Sequence, residues 1–282
     1  MNRSWQPLGG VAPTGLVAAR LELHYAAQVP AALGIARARP EPDFGHHALA
    51  WDGEERALSS ALVQGSRPYR AALRLADRTL LLLEERGRGG RGARLESLAL
   101  DGRTLQDALA WLTRSSAHLS GAAEAPLALP AQELPAHPLV RGARFGPVDA
   151  AGAAELERWY SNLERTLAAV GQSGSSSPVR VWSHHFDLDT VLSLGGERTI
   201  GLGLSPGDEY YAEPYLYVLP SSVAEGAQPP MLEPPAEWRT RDWTGAVLRG
   251  SEITKLPGDA QPAAAERFYR TALAAVRPIV PA

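Results

Sequence analysis

Residues 179–220 read VRVWSHHFDLDTVLSLGGERTIGLGLSPGDEYYAEPYLYVLP. Alternation assigns the first part to a β-strand, because successive strand side chains point to opposite faces. On that reading Trp182, His184, Phe186 and Leu188 share an apolar face, while Ser183, His185, Asp187 and Asp189 share a polar one. Gly195-Gly196 turns the chain into a second strand, Thr199–Leu204. Ser205-Pro206-Gly207-Asp208 turns it again into a third, Glu213–Leu219, with Tyr215 and Tyr217 on one face. The stretch is expected to be a three-stranded antiparallel meander.

Helical periodicity brackets this meander. Leu16–Ala36 carries an apolar stripe, with Pro30 expected to kink or break it. Short strand-like runs follow at His46–Trp51, Ala57–Val63, Tyr69–Ala76, Thr79–Glu84 and Arg94–Leu100. Thr104, with Asp107 three residues on, is the N-cap of a helix reaching about Ser116. Residues 120–149 are proline-rich and read as an extended connector. Ala151–Val170 is an amphipathic helix. After the meander come a Pro-rich loop, Val223–Ala236, a strand at Thr244–Leu248 and a last helix from about Pro262 to Val276.

Laid side by side, the two halves echo each other. Leu21–Tyr25 leads to Gly34 and then to His46-His47; Leu156–Tyr160 leads to Gly171 and then to His184-His185. The expected fold is α+β with two related halves, each an antiparallel β-meander flanked by helices. The divisions are residues 1–119, the connector 120–149, and residues 150–282. The order of elements also resembles an uncharacterised bacterial domain-of-unknown-function family. Its members pair a W-x-Q-I-V type run in the first helix with a later F-D-L strand. The matching pieces here are His24-Tyr25-Ala26-Ala27-Gln28-Val29 and His185-Phe186-Asp187-Leu188. The resemblance covers most of the chain. It implies no established activity and no catalytic residues.

Composition narrows the function classes. The formal charge is −3 and the pI is near 6.2, so no global basic field attracts nucleic acid or an anionic membrane. Cysteine is absent, which excludes disulfides, thiolate zinc sites and a cysteine nucleophile. The N-terminus MNRSWQPLGG lacks an apolar signal core and no run has the length of a membrane span, so a cytoplasmic protein is expected. Gly87–Gly92, within the run RGRGGRGAR, satisfies G-x-G-x-x-G. A strand-like segment follows instead of a helix, which excludes a dinucleotide site and favours a hairpin tip.

The groups able to do chemistry concentrate in residues 179–220. His185, Asp187 and Asp189 on one strand face could hold a divalent metal, with a further ligand from Glu209, Glu213 or His47. The same groups suit structural hydrogen bonding or exposure to water, the commoner use of such residues where no metal motif such as HExxH is present. Tyr215 and Tyr217 serve either as a pocket wall or as sheet packing. The leading expectation is a small-molecule pocket lined by His185, Asp187, Tyr215, Tyr217 and Glu213. A metal-dependent hydrolase using the same cluster is the alternative, and an interaction module without a pocket is the third.

Overall fold

The structure, a computed structural model, describes residues 5–86, 90–120, 125–172 and 175–281. Its first helix, α1 (Val17–Arg37), runs uninterrupted through Pro30. A proline inside a helix removes one hydrogen bond, and packing overrides that here, because every residue from Leu23 to Gly34 is buried. His46 and His47, read from sequence as the start of a strand, lie in a 3-10 turn over Gly45–His47. Five strands follow: β1 (Ala48–Asp52), β2 (Ala57–Ser59), β3 (Tyr69–Arg74), β4 (Thr79–Arg86) and β5 (Gly90–Ala99). The tip of the Gly-Arg run, residues 87–89, lies outside the described residues.

Helix α2 (Leu105–Ser120) starts at the expected capping box. The Thr104 N–H donates to Asp107 at 2.9 Å, and the Asp107 N–H donates to the Thr104 hydroxyl at 3.0 Å. After α3 (Ala150–Gly171) come β6 (Arg180–Trp182), β7 (Asp187–Gly195), β8 (Arg198–Ser205), β9 (Tyr215–Pro220), β10 (Glu237–Arg239) and β11 (Gly245–Arg249). The short α4 (Gly250–Thr254) and α5 (Gln261–Val276) complete the order. The fold is α+β, and all its strand pairings are antiparallel.

The chain divides into two compact units. The N-terminal unit comprises Ala18–Glu157 with Arg180–Phe186, and orders its strands β6-β1-β2-β3-β4-β5. The proline-rich stretch belongs to this unit: Tyr25 donates from its hydroxyl to the Pro135 carbonyl at 2.7 Å, and Leu127, Leu139 and Phe145 are buried. Arg78, 1% exposed, is clasped by Glu22, by Asp101 at 2.6 Å and by the Gly146 carbonyl.

The C-terminal unit comprises Met1–Val17, Arg158–Val179 and Asp187–Ala282, with strands ordered β10-β11-β9-β8-β7. Both halves contain helices and antiparallel strands, and the order in which their strands pair differs. The second half is not a plain meander, because β11 inserts between β9 and β10. Register aligns Leu188, Leu204, Leu216 and Leu248 in one row of one face, and α5 packs on β8, β9 and β11. The opposite face carries Asp189, Gly203, Tyr217, Val247 and Glu237 in a second row. Among the described residues no helix is long and apolar enough to cross a membrane.

Candidate functional site

The strand expected from Val179 to Asp189 is broken. β6 ends at Trp182, residues 183–186 form a turn closed by the Phe186 N–H on the Trp182 carbonyl at 2.7 Å, and β7 begins at Asp187. Phe186 takes a left-handed φ of 59°. Its ring is nonetheless fully buried and lies flat on the His24 ring, with centroids 5.2 Å apart. Alternation thus places Phe186 and Leu188 in the core correctly, but His184 and His185 are exposed turn residues and Ser183 is buried.

Helix α1 supplies the reason for the turn. The Ser183 carbonyl accepts from His24 Nε2 at 2.9 Å and from Gln28 Nε2 at 2.7 Å. A carbonyl only accepts, so His24 is the Nε2–H tautomer. Burial, assisted by the charges of Arg20, His185 and His184, lowers the His24 pKa to about 4 and keeps the ring neutral.

With His185 in a turn, it does not share the strand face of Asp187 and Asp189, and the expected metal triad does not assemble. Among the described residues no three His, Asp or Glu side chains are grouped to hold a metal ion. His46 instead accepts the Glu41 N–H at 3.1 Å through Nδ1. Glu213 is drawn away from the expected pocket as well. Its carboxylate accepts the Ser251 N–H at 2.7 Å and the Ser251 hydroxyl at 3.2 Å, satisfying a donor in the first turn of α4.

Asp187, Tyr215 and Tyr217 do come together. Asp189 lies opposite Gly203 on β8, and Gly203 opposite Tyr217 on β9. A side chain at Gly203 would collide with the Tyr217 ring and hydroxyl, so the glycine lets Tyr217 reach across β8 to Asp187. The Tyr217 hydroxyl donates to Asp187 Oδ2 at 2.5 Å, and the Tyr215 hydroxyl to Asp208 Oδ2 at 2.5 Å. Burial, then the charges of Asp187 and Asp189, hold the Tyr217 phenol well above its ordinary pKa, so it is a donor and not a base.

Asp208 also accepts the Tyr210 and Tyr211 N–H groups at 2.8 and 2.9 Å, fixing the loop that carries these rings. Tyr215, Tyr217 and Val247 form a buried cluster backed by Tyr211, Leu219 and Trp243. The Arg239 guanidinium lies over Tyr210 at 4.2 Å and pairs with Asp242 at 2.7 Å. The two tyrosines therefore act as sheet packing with their hydroxyls engaged. Tyr217→Phe is expected to destabilise the protein by about 1–3 kcal/mol in urea unfolding, since it removes a buried bond to a charged acceptor. Asp187→Asn keeps an acceptor oxygen and is expected to lose less. A Tyr217→Phe variant as stable as the parent would refute this role.

A feature that sequence reading missed lies on the α5 side of the same unit. A cleft of about 230 Å³ is floored by Leu248, Ile253, Leu256, Ala264 and Phe268 and walled by Pro234-Pro235. Glu233, Glu252, Lys255 and Arg267 stand around it. Its signals in the sequence were the Pro-rich loop and the apolar stripe of the last helix, but nothing local says that they meet. No protein-family model matches the chain, and neither a curated protein nor a solved structure matches it.

Proposed function

We propose that the C-terminal unit binds a small, mainly apolar molecule in the cleft between α5 and the Pro234-Pro235 loop. The observation that carries this reading is the cleft itself: an apolar floor with a few polar groups at its edge is the usual make-up of a ligand site. The sheet face of Asp187, Tyr215 and Tyr217 supports binding less well, because its hydroxyls and carboxylates already engage one another. The cleft volume is below the range for drug-sized ligands. At about 30 Å³ per water it has room for roughly seven or eight waters, or a compound on the order of ten non-hydrogen atoms. Such a ligand is expected to bind with a Kd between roughly millimolar and micromolar.

Saturation-transfer NMR with indole, a compact apolar molecule, tests the reading. Indole signals are expected to show transfer from the parent protein. Ala264→Trp, which fills the cleft from α5, should remove the transfer while leaving the thermal unfolding transition in place. Equal transfer to both proteins, or none to the parent, sinks the proposal.

A further inference from the structure

We infer that the cleft selects a zwitterion with an apolar side chain, a free α-amino acid of the leucine or phenylalanine class. The inference rests on the cleft being a binding site and adds the chemistry of its edge. Four charged residues stand there, two of each sign, but they are not equivalent. Lys255, the single lysine of the chain, is paired with Glu252 at 2.6 Å, so this couple is internally neutralised. No ion pair among the described residues engages Glu233 or Arg267.

These two charges come from different walls. Glu233 immediately precedes Pro234-Pro235 on the loop, whereas Arg267 projects from α5, next to Phe268 and one turn after Ala264, both of which line the floor. A planar guanidinium suits a carboxylate, and a carboxylate suits an ammonium group. The apolar lining, Leu248, Ile253, Leu256, Ala264 and Phe268, takes an aliphatic or aromatic side chain. A ligand with one charge can engage only one of the two residues, the other staying with water, and a dianion or dication would meet its own sign at the cleft. An α-amino acid meets both and places its side chain on the floor. The ligand size set by the volume, on the order of ten non-hydrogen atoms, is that of a free apolar amino acid.

Isothermal titration of the intact chain with L-leucine, isoamylamine and 4-methylpentanoate tests the inference, since the last two each keep one charge and the same apolar tail. L-Leucine is expected to bind roughly three- to tenfold more tightly than either, a preference moderated by the exposure of Arg267 and Glu233. Arg267→Gln should erase the advantage over isoamylamine, and Glu233→Gln the advantage over 4-methylpentanoate. Both substitutions lie on the surface, and thermal melts of both should match the parent. If L-leucine binds no better than the singly charged compounds, or both variants retain its advantage, the inference is overturned. If indole binds in the cleft and L-leucine does not, the zwitterion assignment falls and the cleft reading stands. If neither binds, both fall.

Discussion

Phe186→Ala is expected to destabilise the protein by about 3–5 kcal/mol, the range for a large aromatic removed from a packed interior. Phe186 is fully buried and its ring stacks on His24. Its backbone sits at a φ of 59°, where a side chain costs on the order of 1 kcal/mol that glycine does not incur. The burial of the ring outweighs that strain. A comparison with Phe186→Gly follows from the same geometry. Both variants lose the ring, but glycine relieves the left-handed conformation, so it should be more stable than the alanine variant by about 1 kcal/mol. An extended strand would give the opposite order, because glycine weakens a strand. Urea unfolding of both variants decides between turn and strand, and an alanine variant more stable than the glycine one would refute the turn.

That turn marks where local reading of the sequence stops working. The alternation of Trp182, His184, Phe186 and Leu188 is compatible with a strand, and two of the four do lie in the core. What bends the chain is a pair of donors, His24 and Gln28, that lie 159 and 155 residues away from Ser183. In the structure His24 lies against Phe186. Local signals were sufficient elsewhere. The Thr104–Asp107 box begins α2, the Gly195-Gly196 and Ser205–Asp208 turns separate β7, β8 and β9, and Pro262 stands in the first turn of α5.

The candidate site was legible only in part, for the same reason. The shared face of Tyr215 and Tyr217 is a matter of period two, and it holds. That Tyr217 crosses Gly203 to reach Asp187 depends on the register of three strands, which alternation within each strand leaves open. Glu213 looked like a pocket carboxylate and instead caps the start of α4, an element too short for periodicity to announce. The cleft joins residues 233–236 to residues 248–271, and its existence follows from how α5 lies on the sheet.

The buried imidazole at this turn also sets how the protein should respond to acid. His24 titrates near 6.5 in an unfolded chain and at about 4 in the folded one, principally because burial penalises the charged ring. Between these values the unfolded state binds a proton that the folded state refuses, so stability is fully present above 6.5 and falls as pH drops towards 4. The difference corresponds to a loss of about 3 kcal/mol across that window. The charges facing the ring, on Arg20, His184 and His185, act in the same direction, while its bond to the Ser183 carbonyl opposes them. Asp43 and Asp77 are held below their ordinary values, Asp43 chiefly by its bond to Arg180 and Asp77 by Arg74 and Thr79 against the effect of burial. Their contribution is lost only at still lower pH. Glu164, raised by burial, works against the His24 trend above 4.5 and so trims it. His24→Gln keeps an N–H able to reach the Ser183 carbonyl and cannot titrate. Burial also lowers His47, His137 and His184, which act in the same direction, so urea midpoints measured from pH 7.5 to 4.5 should fall for both proteins and more steeply for the parent than for His24→Gln. Parallel curves for the two proteins would show that the acid response arises elsewhere, as in His47, His137 or His184.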